Sequence, residues 1–460
     1  MSRDAHLYPL RHTDVNPKDD VLWNWAQNAQ IGSRHQVQRP ASEAELQALL
    51  RQSQGQIRVI GSKLSPGRML HVSEQDLLLD LSAFSGQTAS DEHSVTFGGA
   101  TPLDQVYRTL TGMNRMLASS PGVIAIQTLA GAMATGTHGQ GLQQSSIADE
   151  ALSIRMVLTD GSVREFTRGE PDFPAAQVSL GALGIVTAVT LRTEPFRIFT
   201  CHKNAVSADT LEQDLLRWND EYPLSKAWWF VDDNRVHVWN AHQASDDERL
   251  RYEQQDRQVV EHEGQADDSL NDTIDQTLAH MHRDTQIQGK GGKQFRTVTR
   301  FRDFTDVTGD IYQLFCRGIA VPQINVEIGV PLAKTPAIIS RIKQWYAANR
   351  PHMHYPIILR CTGASSAWLS PAYDQPTCFF GFVVYYADDG SLSPDGLHFL
   401  TEVEKLLADE GGRPHWGKYY DEERYRWREI YPQWDAFRAL RSQLDPQGRL
   451  GNDYIAPLFD

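Results

Sequence analysis

Ala130-Gly131-Ala132-Met133-Ala134-Thr135-Gly136-Thr137-His138-Gly139-Gln140-Gly141 is the stretch on which the reading of this chain turns. Its four glycines sit among small residues and hydroxyls. Such a backbone approaches another group closely and presents its N–H groups bare, as an anionic diphosphate requires. The spacing is not that of the glycine fingerprint after the first strand of a dinucleotide-binding βαβ unit. It points to a different way of holding a phosphate-bearing cofactor, against the alternative of a tight glycine turn between packed elements.

The context narrows the choice. Upstream, Ile57-Arg58-Val59-Ile60 reads as a short strand running into the turn Gly61-Ser62-Lys63-Leu64-Ser65-Pro66-Gly67. Downstream, Ser179-Leu180-Gly181-Ala182-Leu183-Gly184 leads into the β-branched run Ile185 to Leu191. Late in the chain comes Arg413-Pro414-His415-Trp416-Gly417-Lys418.

Together these segments resemble the FAD-binding proteins of the vanillyl-alcohol oxidase type, and within them the sugar-1,4-lactone and alditol oxidases. That group includes the D-arabinono-, L-gulono- and L-galactono-1,4-lactone oxidases and dehydrogenases. The likeness spans roughly residues 20 to 200. It returns at Trp368-Leu369-Ser370 and from Arg413 to the end, including Gly451-Asn452-Asp453-Tyr454. It implies an α+β fold: a two-subdomain FAD-binding domain over residues 1–196, a sheet-based substrate (cap) domain over 197–410, and a segment, 411–460, that returns to the flavin domain and active site.

The resemblance implies that FAD does the redox chemistry while the protein binds and orients it. It places the cofactor against Ile60, Gly61, Ser62, Lys63, Leu64 and Ser65, and against Gly99 and Thr128. It adds Gly131, Ala132, Thr135, Gly136, Thr137, His138 and Gly139 from the glycine run, then Gly184, Ile185 and Val186, and finally Lys418. Thr128 corresponds to the position beside the hydride-accepting nitrogen. Leu64 stands where many of these oxidases carry a histidine bonded to the flavin; leucine makes no such bond, so FAD is expected to be noncovalent. Gly99 matches the oxidases, in which a missing side chain leaves room for oxygen; a turn requirement is the alternative.

Catalysis is expected from Arg360, Lys418, His415, Thr128 and Glu327. Family members often carry Glu-x-Arg on a strand over the flavin, and Ile358-Leu359-Arg360 keeps only the arginine. Isoleucine takes no proton from an alcohol. Arg360 and Lys418 can stabilise an alkoxide or the charge of a reduced flavin. Glu327 is a candidate substrate contact, or a solvent-facing strand residue. The implied substrate is a polyol, sugar or aldonolactone, with oxygen or another acceptor closing the cycle. A flavin-binding module that has lost its base is the rival class.

At 460 residues two domains are expected. No apolar run is long enough for a membrane span, and Met1 to His6 lacks a hydrophobic leader; a cytoplasmic protein is the simplest expectation. A net charge of −14 argues against nucleic-acid partners. Cys201, Cys316, Cys361 and Cys378 are too widely spaced for a zinc or disulfide framework, and buried inert thiols are expected. His280-Met281-His282 and His352-Met353-His354 raise a metal hypothesis, but no carboxylate or cysteine cluster accompanies them, so no metal is expected.

Ala41 to Leu50 reads as a helix with Ser42 as N-cap and Glu45 completing a capping box, and Thr101 to Leu110 as another. Strands are expected at Ile57–Ile60, Leu77–Leu81, Ser94–Phe97, Ala151–Leu158 and Val163–Phe166, the last two joined at Asp160-Gly161. Trp228–Val231 and Val236–Trp239 read as a pair, with further strands at Asn325–Pro331, Pro356–Arg360 and Cys378–Tyr386 and a helix at Pro336–Trp345. Residues 244–294 are strongly polar, an exposed helical excursion or a mobile insert.

Overall fold

The computed structural model describes residues 10–262, 286–288, 294–296, 305–316 and 322–459, apart from 352, 354, 388 and 393. Both His-x-His pairs and most of the polar stretch lie outside the described residues; its described start holds a helix, Asp246–Gln254, capped by Ser245.

Three sheets carry the fold. Val37–Gln38, Leu77–Asp80 and Ile57–Ile60 form a small parallel sheet with Leu77–Asp80 in the middle. The helix Glu43–Gln52 precedes Ile57–Ile60, and Leu46 and Leu50 pack with Ile57 and Leu79. Ser42 accepts from Glu45 N as its N-cap, while the Glu45 carboxylate reaches back to Ala41 N, one residue before the cap. A five-stranded antiparallel sheet follows, in the order Val163–Thr167, Ala151–Val157, Ile185–Arg192, Ser94–Gly98, Gln87–Ser90. The Asp160-Gly161 hairpin is present, with Gly161 at φ +80°.

The third sheet is antiparallel and nine-stranded, and its centre runs Arg235–Gln243, Leu224–Phe230, Ile357–Thr362, Thr377–Tyr385, Gln323–Pro331, Arg413–Pro414. Its two faces separate by the strand period of two. Leu359, Cys361, Val326, Ile328, Phe380 and Phe382 point to one side, into a core shared with the helices Leu211–Glu221, Thr335–Asn349 and Pro394–Asp409. The alternate residues, Arg360 and Glu327 among them, face a cavity bordered by the first two sheets. All four cysteines are buried thiols outside any disulfide.

The chain's end crosses back over the first sheet. Ile57 N donates to Arg449 O at 2.7 Å, Arg449 reaches Leu50 O and Thr159 O, and Asn452 Nδ2 donates to the carbonyls of Met69 and His71. Among the described residues no helix is long and apolar enough to cross a membrane.

Candidate active site

The glycine run opens as a short helix, Leu129–Ala134, capped by Thr128: its hydroxyl accepts from Gly131 N at 3.3 Å. The strand ending at Ile60 meets this cap so closely that a Cβ on Gly61 would lie 2.6 Å from Thr128 Oγ1, and one on Gly131 2.8 Å from it. Glycine at both positions is a condition of the close approach. Thr135 donates to Gly131 O and Thr137 to Gln127 Oε1, so these hydroxyls also hold the run's own shape. At its far end Gly141 N donates to Cys361 O, which ties the run to the strand that carries Arg360.

One cavity gathers these parts. Of the residues expected at the cofactor, Ile60 to Ser65, Gly99, Thr128, Gly131, Thr135, Thr137, His138, Gly184, Val186 and Lys418 line it. Four of the expected residues lie off its lining. Ala132 is fully buried in the core beneath the short helix. Gly136, at φ +73°, sits against Pro371 and Val178. Gly139 packs on Ser120, whose carbonyl would lie 2.5 Å from an added Cβ. Ile185 points the other way from Val186, into the core with Leu46 and Leu50, as alternation along a strand requires.

All five residues expected to act in catalysis line the cavity. Glu327 is not a solvent-facing strand residue: it is 4 % exposed and takes Arg360 Nη1 on Oε1 at 2.9 Å. Ile358 shares a sheet row with Gly381 and Glu327, but the carboxylate beside Arg360 comes from Glu327, two strands away. Lys418 Nζ stands 3.9 Å from Glu327 Oε2 and His138 Nε2 3.6 Å from Oε1. Burial alone would push the Glu327 carboxyl up; Arg360, His138 and Lys418 override it and hold it at about 2. Burial pulls the imidazoles down, His138 to about 4 and His415 to about 3, and lowers the Lys418 ammonium. The result is an ionised carboxylate between two cations, with two neutral imidazoles beside it.

Arg58 and Gly122 are among the lining residues to which no sequence expectation was attached. Arg58 is buried inside an apolar strand, donates to Leu180 O and Leu450 O, and leaves its Nε without a partner. A charged residue within an otherwise apolar strand was its signal. Gly122 lies flat on Arg360, where a Cβ would come within 2.6 Å of Nη1.

The glycine cradle between strand and helix, the buried Arg58 cation with its spare N–H, and the walls of small residues fit a flavin dinucleotide. A family model described as the D-arabinono-1,4-lactone oxidase matches residues 189–458, and one for an FAD-binding domain matches residues 35–167. The chain belongs to the D-arabinono-1,4-lactone oxidase family. Members of that family are FAD-dependent oxidoreductases acting on CH–OH groups, and so is this protein. It is 27% identical to the L-gulono-1,4-lactone dehydrogenase of Mycobacterium tuberculosis, over 94% of this chain and 98% of the relative. It is 26% identical to an alditol oxidase from a Streptomyces species, over 96% and 99%. A crystal structure of cholesterol oxidase from B. sterolicum superposes with a TM-score of 0.72 at 14% identity, covering 98% of this chain and all of that one, which establishes the shared fold.

Proposed function

We propose that this family member oxidises a hydroxyl-bearing carbon of a polyol, sugar or aldono-1,4-lactone, with FAD held noncovalently and oxygen as the final acceptor. The observation that carries the reading is the buried Arg360–Glu327 pair with His138, His415 and Lys418 at the wall of a glycine-lined cavity. Bound FAD supplies the two-electron acceptor for the hydride leaving carbon. The chain's own groups do the rest. Arg360 and Lys418 place positive charge where an alkoxide develops, and Glu327 offers an ionised carboxylate to the hydroxyl proton. His415 Nδ1 accepts from Gly417 N at 3.0 Å. Its proton is therefore on Nε2, which makes it a donor that can orient the substrate oxygen.

The test is an anaerobic series of alditols and aldonolactones, followed by flavin bleaching; a protein that no member of the series bleaches is not this enzyme. Oxygen as acceptor requires fast reoxidation of the reduced protein in stopped flow, and slow reoxidation would assign a quinone or protein acceptor instead.

Two expected outcomes arise here. Leu64 lines the cavity with a hydrocarbon side chain, so acid precipitation should leave the yellow colour in the supernatant; colour in the pellet would establish a covalent bond elsewhere. At Gly99, an added Cβ would fall 2.6 Å from the Val186 carbonyl oxygen. Backbone yields poorly to such contacts, so Gly99→Ala should cost about 1–3 kcal/mol, read as a lower melting temperature and weaker FAD retention. An Ala variant that melts with the wild type would show that the position is not held by packing.

A further inference from the structure

Beside the Glu327 carboxylate, two buried polar atoms have no hydrogen-bond partner, Arg360 Nε and His138 Nε2. The histidine is the more telling. Its Nδ1 lies 3.0 Å from Gly139 O, a carbonyl, which only accepts. Nδ1 therefore carries the ring proton, and Nε2 presents a lone pair. That lone pair faces Glu327 Oε1 at 3.6 Å, a gap too short for a bridging water, which needs about 2.8 Å on each side. The ring is fixed by stacking on Phe379, with centroids 3.5 Å apart. Two acceptors thus confront each other with no donor between them, at a separation longer than a hydrogen bond, which a proton arriving on Glu327 would draw closed. His415 is arranged the opposite way, its Nε2–H a donor. His138, Glu327 and His415 also have ligand atoms within 4.8 Å of one another, as a metal site would, but Arg360 and Lys418 already neutralise the only carboxylate.

We propose that His138 and Glu327 form a two-residue proton acceptor, in which Glu327 takes the proton of the substrate hydroxyl and shares it with His138 Nε2. This rests on the alcohol oxidation proposed above. In the step, the O–H bond breaks and its proton passes to Oε1 and Nε2. The C–H bond breaks with its electron pair going to the flavin as hydride, and the C–O bond becomes C=O. The proton stays on the pair until the acceptor is reduced or solvent receives it. Sharing leaves the carboxylate's charge in place against Arg360 and Lys418, which a proton residing on Glu327 alone would remove. The charged and titratable groups facing His138 are Glu327 from Gln323–Pro331, Arg360 from Ile357–Thr362, and His415 and Lys418 from the last segment; Thr377–Tyr385 contributes only Phe379. Glu327 favours a proton on His138, and Arg360 and Lys418 oppose it. His138 acts through Glu327 and is a positioning residue for the proton.

Two measurements on the FAD-loaded protein test this. Nitrogen-15 NMR of labelled histidines, with His138 assigned by its loss in His138→Gln, should show Nδ1 protonated and Nε2 bare in the oxidised protein. An Nε2-protonated ring overturns the proposal whatever the variants do. In anaerobic stopped flow, wild-type flavin reduction should hold level down to a pH near His138's value of about 4 and fall below it, as bulk protons fill the pair. His138→Gln should retain FAD, reduce it about ten- to hundredfold more slowly, lose that acid limb and speed up as pH rises. Reduction within about threefold of wild type and with the same pH profile would also overturn it. If no alcohol reduces the wild-type flavin, the enzymatic reading fails instead, and the NMR result still decides where the proton sits.

Discussion

Glu327→Gln is expected to slow flavin reduction by about 10²–10⁴-fold while leaving FAD bound. The amide keeps the side chain's volume and can still accept from Arg360, so packing is conserved and the charge is lost. Without that charge the hydroxyl proton has no ionised acceptor at 2.9 Å from the guanidinium. His138 and His415 also lose the negative neighbour that favours their protonation, so neither can substitute. The measurement is the limiting rate of anaerobic bleaching at saturating substrate, with flavin content determined on the same sample. A variant that bleaches within about threefold of wild type would remove Glu327 from the chemistry.

Arg360→Met should damage both fold and catalysis. It removes the first-ranked of the charges that hold the Glu327 carboxyl at about 2, while burial continues to push it up. Breaking a buried pair by deleting one partner costs about 3–5 kcal/mol, because the survivor keeps its desolvation penalty. The sign of the pH effect follows. A carboxyl depressed in the folded state stabilises the fold above its unfolded value of 4.5, and that contribution is lost as pH falls towards about 2. With Arg360 gone the depression shrinks and His138 loses a charge that opposes its protonation, so the acid limb set by the pair moves to higher pH. The rate at neutral pH should fall by about 10²–10³, the range seen when one charge-stabilising donor is lost. Arg360→Lys should recover part of the melting temperature but little of the rate, since one ammonium does not reproduce the planar fork. Equal rates for the Met and wild-type proteins would show that the guanidinium only braces the sheet.

The glycine segments, Arg360 and the His415–Lys418 stretch were legible in the sequence because each is a short motif with its chemistry in adjacent residues. Thr128 was legible for the same reason, although its role as a helix cap was not. Glu327 was visible only as one of two alternatives. What decides between them is strand order: Gln323–Pro331 is separated from Ile357–Thr362 along the chain by the helix Thr335–Asn349, yet only Thr377–Tyr385 lies between them in the sheet. No local pattern records that. The rival reading, a site without its base at Ile358, looks along one strand, whereas a carboxylate arrives across the sheet. Gly139 and Gly136 were assigned to the cofactor by membership of a glycine run; the structure uses one for contact with Ser120 and the other for a left-handed turn. Arg58 escaped notice because its neighbours read as core.

The closing crossover has a consequence for what activity requires. His415 and Lys418 reach the cavity from the edge strand Arg413–Pro414, and the stretch beyond them is pinned near the start of the chain by Arg449 and Asn452. A chain cut before Arg413 keeps the residues of the glycine cradle but has neither that imidazole nor that ammonium. The enzyme therefore depends on this returning segment, and a protease that clips it would silence turnover without touching the cradle.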